Sequence, residues 1–110
     1  MATHTMTINA LSYSLIAEGN KTLEVRLKKD GVEHYKPGDT IIVKDRETGA
    51  TIEKRIVSLE TYASLDDLIV HEDLKQNGNF TEHDAFRERI RAFQTEDEER
   101  EFGLAAIHFG

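Results

Sequence analysis

The stretch Gly19-Asn20-Lys21-Thr22-Leu23-Glu24-Val25-Arg26-Leu27-Lys28 constrains this chain more than any other. It reads as a turn running into a strand, because Leu23, Val25 and Leu27 alternate with Thr22, Glu24, Arg26 and Lys28 at the period of two that a β-strand imposes. One face belongs to a core and the other is polar. Glu24 and Arg26 fall about 7 Å apart on the polar face, within reach of each other's side chains, and Lys21 stands at the turn. The alternation leaves two readings open. One is a solvated strand face, on which exposed ion pairs contribute little; the other is an ordered polar surface that does chemistry.

A second segment constrains the centre of the fold. Phe102-Gly103-Leu104-Ala105-Ala106-Ile107-His108-Phe109 is small or apolar on both alternating faces, which describes an internal strand covered on each side. Ahead of the polar strand, Thr3 to Ile8 reads as a first strand and Asn9 as the cap of a helix from Ala10 to about Glu18. Leu11, Leu15 and Ile16 would be its inner side, and Gly19 its end. The polar strand spans Thr22 to Lys29 and stops at the turn Lys29-Asp30-Gly31. Tyr35-Lys36-Pro37-Gly38-Asp39 turns the chain into a strand at Thr40 to Lys44. Asp45 to Gly49 is a hairpin loop to a long strand from about Ala50 to Glu60, with a break in alternation near Arg55 that marks a bulge. Three helical segments follow. Ser64 with Asp67 caps one from Leu65 to about Leu74, ended by Asn77-Gly78-Asn79. Thr81 with Asp84 caps a second, whose buried stripe is Phe86, Ile90 and Phe93. Thr95 caps a turn in which Glu96-Asp97-Glu98-Glu99 is solvated surface favourable to the helix dipole.

At 110 residues the chain reads as one domain spanning 1–110. Cysteine is absent, so no disulfide framework or thiolate metal site is expected, and no apolar run approaches a membrane span. Without a signal-like N-terminus the default location is cytoplasmic. The formal charge of −7 argues against general binding to polyanions. Its distribution softens that objection: residues 1–60 hold nine bases against nine acids, and residues 61–110 hold five against twelve. A local basic surface around the polar strand is therefore compatible with the sequence. The five histidines form no metal-ligand spacing, so no metal and no cofactor are expected. Neither a phosphate loop nor a nucleophile elbow occurs. Lys21, Glu24 and Arg26 remain as the residues able to carry chemistry.

The block from Gly19 to Leu27, the block Tyr35-Lys36-Pro37-Gly38-Asp39-Thr40-Ile41-Ile42-Val43 and the closing strand together resemble the ASCH domain of the PUA-like superfamily, in order and spacing, over essentially the whole chain. The resemblance implies an α+β fold: a small closed β-barrel of five or six strands with flanking helices. It also implies a cleft lined by the Lys21 to Arg26 strand, and RNA or a nucleoside- or nucleotide-like molecule as partner. Some bacterial relatives hydrolyse acetylcytidine with a lysine and a threonine on this strand and a downstream glutamate, and others are ribonucleases. Lys21 matches that lysine, whereas Glu24 stands at the threonine position and the downstream glutamate falls near Gln76, with Glu72 and Asp73 close by. Two functions follow. As a binding module, the domain would use Lys21, Thr22, Glu24, Arg26 and Lys28 as ligand contacts, with Arg26 and Lys21 on a phosphate or carbonyl oxygen and Glu24 on a base amino group or ribose hydroxyl. As a hydrolase of a modified nucleoside or RNA, it would use Lys21 as base or nucleophile and Glu24 to shuttle the proton. A third polar group converging on Lys21 would separate the two.

Overall fold

The computed structural model of the chain describes residues 1–78 and 82–110. Its strands are β1 (Thr3–Ile8), β2 (Leu23–Leu27), β3 (Thr40–Asp45), β4 (Thr51–Tyr62) and β5 (Leu104–Phe109). Its helices are α1 (Ala10–Ala17) between β1 and β2, then α2 (Leu65–His71), α3 (His83–Arg91) and α4 (Glu96–Phe102) between β4 and β5, with 3₁₀ turns at Val32–His34 and Leu74–Gln76. The strands form one sheet of order β1-β3-β4-β5-β2 in an α+β fold. β1 runs parallel to β3 and the other neighbours are antiparallel. A parallel pair needs a long crossover, and residues 9–39 supply it.

The sheet curls into a half-barrel, so the closed barrel implied by the resemblance is corrected to an open one. β1 and β2 are its two edges, and no ladder joins them among the described residues. The physical reason lies in the polar face of β2. Glu24 pairs with Ile107 and Arg26 with Ala105, so these polar side chains project to the inner side of the curl, where Ile107 and Ala105 join one core cluster. Across the seam the Arg26 guanidinium donates to Thr7 O at 3.2 Å, a side-chain bond where a ladder would otherwise run.

β5 lies between β4 and β2 and is buried through both faces. Ala105, Ile107 and Phe109 join Met6, Ile41 and Val43 inside the curl, while Leu104 and Ala106 join Leu23, Leu68 and Phe86 beneath the helices. A strand apolar on both faces is unsuited to an edge; here every β5 residue but His108 is buried. β4 is bulged against β5 at Val57, between Ile56 and Ser58, close to the break expected near Arg55.

Several expected details change. Leu11 is exposed, whereas Ile16 is buried as expected and is joined on the inner face of α1 by Ser12, an i,i+4 pair on a helix of eight residues. α2 stops at His71, so Leu74 belongs to a separate 3₁₀ turn. Phe86 and Ile90 are buried, but α3 ends at Arg91, and Phe93 leaves the stripe to stand 63% exposed. Within the acidic run Glu99 is buried, contrary to a wholly solvated surface. The cap expected at Thr81, and Asn79, lie outside the described residues.

Candidate functional site

The end of α1 delivers Lys21. Asn9 caps the helix by accepting from Ser12 N at 2.8 Å. Gly19, at φ +81°, lets the chain reverse as a side chain would resist, and the N–H groups of Asn20 and Lys21 both return to Leu15 O, at 2.9 and 3.0 Å. Lys21 therefore enters β2 already anchored to the helix that carries Ser12. From the other side, Asn77 donates to Leu23 O at 2.6 Å and pairs with Lys21 as an isolated β-bridge.

These anchors surround a cavity of about 360 Å³ at the open seam. That volume is within the roughly 300–1,000 Å³ of small-molecule sites. Its buried polar lining comprises Lys21, Glu24, Ser12, Asn77 and Gln94. The Lys21 ammonium is 3.4 Å from Ser12 Oγ and 3.4 Å from Glu24 Oε1. Glu24 also accepts from Val25 N at 3.1 Å, and its other oxygen lies 3.6 Å from the Arg26 guanidinium. All three charged groups are thus in contact, yet each ion pair is longer than a good charge-assisted hydrogen bond. Tyr35 adds a phenol to the lining; burial pushes its ionisation up, with Arg26 pulling the other way, so the ring meets the cavity as a neutral hydroxyl.

The lining contains five cations, Lys21, Arg26, Lys29, Arg46 and Arg89, against two acids, Glu24 and Asp30. In a chain of net charge −7 this is a local reversal of sign.

Of the residues expected from the sequence, Lys21, Glu24 and Arg26 line the cavity together, whereas Thr22 and Lys28 are not among its lining residues. Thr22 instead uses its backbone, donating to Gln76 O and accepting from Phe109 N, and Lys28 N donates to Gly103 O. Neither Glu72 nor Asp73 reaches the cavity. Glu72 is spanned by Tyr62, whose hydroxyl donates at 2.5 Å, and by His108 Nε2 at 2.6 Å, while Asp73 caps the Leu74–Gln76 turn. Ser12, Asn77, Arg46, Arg89 and Phe93 were not expected; they come from a helix face, a turn, a hairpin, a second helix and its end, and share no sequence period. Among the described residues no cluster of His, Cys, Asp and Glu is arranged to hold a metal ion, and no helix is long and apolar enough to cross a membrane.

The curled sheet with its helices is shared with solved structures. The hypothetical protein PH0355 superposes with a TM-score of 0.84 at 24% identity, covering 99% of this chain and 97% of that one. An ASCH domain from Lactobacillus crispatus gives 0.69 at 15%, covering 98% of this chain and 78% of the other. An ASCH protein from Zymomonas mobilis gives 0.55 at 13%, covering 96% and 65%. No curated protein matches the sequence. At these identities the likeness shows the fold alone. The sequence itself matches the ASCH domain over residues 6–109, and the chain belongs to that family, whose fold is generally linked to RNA binding.

Proposed function

We propose that the seam cavity binds RNA or a nucleotide-like molecule. The observation that carries this reading is the gathering of five cations and two acids on one cavity of an otherwise acidic domain. Polyanion affinity rests on such cations, and an acidic surround restricts it to a short, local contact. Arg26 and Lys21 serve a phosphate or carbonyl oxygen, and Glu24 accepts from a base amino group or ribose hydroxyl. The test compares binding of short RNA and nucleotides by wild type, Lys21→Arg and Arg26→Ala. Arg26→Ala is expected to weaken binding most, since it removes a guanidinium that reaches both Glu24 and the seam, while Lys21→Arg keeps the charge and most of the affinity. Unchanged binding in Arg26→Ala would refute the assignment.

One contact favours a second reading, hydrolysis of a modified nucleoside or RNA. Ser12 Oγ is a third polar group beside Lys21, opposite Glu24, and a buried lysine between a hydroxyl and a carboxylate is a constellation suited to proton transfer. Under this reading Lys21→Arg reduces turnover of acylated cytidines by about a hundredfold or more, with little change in affinity. Absence of wild-type turnover on acylated cytidines would remove that substrate class.

A further inference from the structure

The rim of the cavity carries groups that the fold itself does not use. Of its five cations, Lys21 and Arg26 lie within ion-pair distance of Glu24, and Lys29 of Glu98 at 3.3 Å. Arg46 and Arg89 form no ion pair among the described residues, although both line the cavity. Arg46 is exposed in the turn after β3, its backbone fixed by donation to Ile8 O at 2.8 Å. Arg89 comes from α3 and places its guanidinium 5.5 Å from the ring centroid of Phe93. Phe93 lines the same cavity and is 63% exposed. Asp30 is an opposing charge on this rim and has no cation partner among the described residues.

A large exposed phenyl at the mouth of a polar cavity costs solvation and contributes nothing to the core. Beside two unpaired guanidinium groups it matches one ligand chemistry, a planar base attached to a phosphate: aromatic faces stack bases irrespective of sequence, and arginine forks fit phosphate oxygens. We infer that the site takes an unpaired nucleotide together with its phosphate, the base stacked on Phe93 and the phosphate held by Arg46 and Arg89, and that a bare nucleoside lacks half of the contacts. This rests on the reading of the seam cavity as a nucleotide site and specifies its ligand. A duplex cannot satisfy the arrangement, because its bases are stacked on one another and not on a side chain.

Titration calorimetry with nucleosides, their 5′- and 3′-monophosphates, a short single-stranded RNA and a duplex of equal length tests it. The monophosphates are expected to bind about tenfold or more tightly than the matching nucleosides, the increment of charge-assisted contacts to one phosphate. Arg46→Ala and Arg89→Ala should each remove most of that increment. Phe93→Ala should weaken nucleoside and nucleotide alike by about tenfold. All three residues are outside the buried core, so these variants retain the fold, checked by their unchanged thermal unfolding. Single strands binding more tightly than mononucleotides identify the phosphate as that of RNA, and the reverse order identifies a free nucleotide; both support the assignment. Equal affinity for nucleosides and monophosphates, a preference for duplex, or no effect of the three rim variants while Arg26→Ala abolishes binding would overturn it and leave the cavity reading intact. If none of these ligands binds wild type, the cavity reading and this assignment fall together.

Discussion

Two buried carboxylates separate the part of this molecule that is finished from the part that is not. At the junction of α2, α3 and α4, Glu99 is 4% exposed, accepts from Leu65 N at 2.8 Å and is paired with Arg91. At the seam, Glu24 is 8% exposed but meets its cations only at 3.4 and 3.6 Å, beside an open cavity. Both are acids removed from bulk water, which is costly unless partners replace the lost hydration. Glu99 has a backbone donor and a guanidinium in close contact, binding three helices into one layer. Glu24 has one backbone donor and two loosely held cations, so part of its hydrogen-bonding capacity faces a space that a ligand can enter. Burial alone therefore does not mark a site; burial with long contacts and an adjoining cavity does.

The sharpest break in this comparison is Glu99→Ala. It removes the acceptor of the buried Leu65 N–H, and an orphaned buried donor costs about 1–3 kcal/mol. Arg91 is about one-third exposed and regains water, so the lost ion pair adds little. The expected destabilisation is about 2–3 kcal/mol, on the order of 10 °C in Tm. Thermal and denaturant unfolding check it. Glu99→Gln, which keeps an acceptor for Leu65 N, should lose less than half as much. Equal losses in both variants would place the effect in the Arg91 pair and dissolve the contrast with Glu24.

The two carboxylates also show what a sequence makes legible. The alternation on β2 and the two-sided apolar pattern of β5 are local, period-two signals, and both elements stand where those signals place them. Lys21, Glu24 and Arg26 share one strand, and their proximity follows from the pleat. Closure of the barrel depends on whether β1 and β2, distant in sequence, meet as edges; Glu24 and Arg26 stand out on β2, but nothing in either strand says that Arg26 reaches across to Thr7 of β1 where a ladder would run. Glu99 looks identical to its neighbours in Glu96-Asp97-Glu98-Glu99; only the docking of α4 against Leu65 and Arg91 distinguishes it. Phe93 has the right spacing to extend the stripe of Phe86 and Ile90, but a helix ending at Arg91 takes it elsewhere. Arg46, Arg89 and Asn77 reach the cavity from three unrelated segments, which no single period could collect.

Glu72 tests the comparison from a third position. Its carboxylate is bracketed by the Tyr62 hydroxyl and His108, as tightly as Glu99 is held and away from the seam cavity. Burial, followed by the hydrogen bond and charge of Glu72, pushes ionisation of the Tyr62 phenol well above its ordinary value of 10.0. A tyrosine raised in the folded state contributes stability that is present below the unfolded value and lost as pH climbs, because above pH ~10 the unfolded chain binds fewer protons. Stability should therefore decline above that pH, and Tyr62→Phe should flatten the decline. Glu72→Gln is expected to cost about 1–2 kcal/mol at neutral pH and to bring the Tyr62 titration part of the way back, as read by tyrosinate absorbance. A Tyr62 titration at its ordinary value in the wild type would show that Glu72 is no more firmly held than Glu24.

The smallest effect on stability is expected where the functional consequence is largest. Glu24→Gln keeps an oxygen for Val25 N and for Lys21, and removes a charge whose ion pairs are long and border a cavity that water can fill. The loss should be under about 1 kcal/mol, comparable with a weak ion pair and not with a buried one broken at close contact. Removing the acid also leaves Lys21 and Arg26 without their shared counter-charge, so the cavity becomes more positive. Affinity for nucleoside monophosphates and RNA should then shift measurably, with stronger dependence on salt, while the unfolding midpoint barely moves. A loss of stability equal to that of Glu99→Ala, with binding unchanged, would mean that Glu24 is a structural acid whose long contacts are sufficient to hold the seam, and that the cavity beside it is incidental.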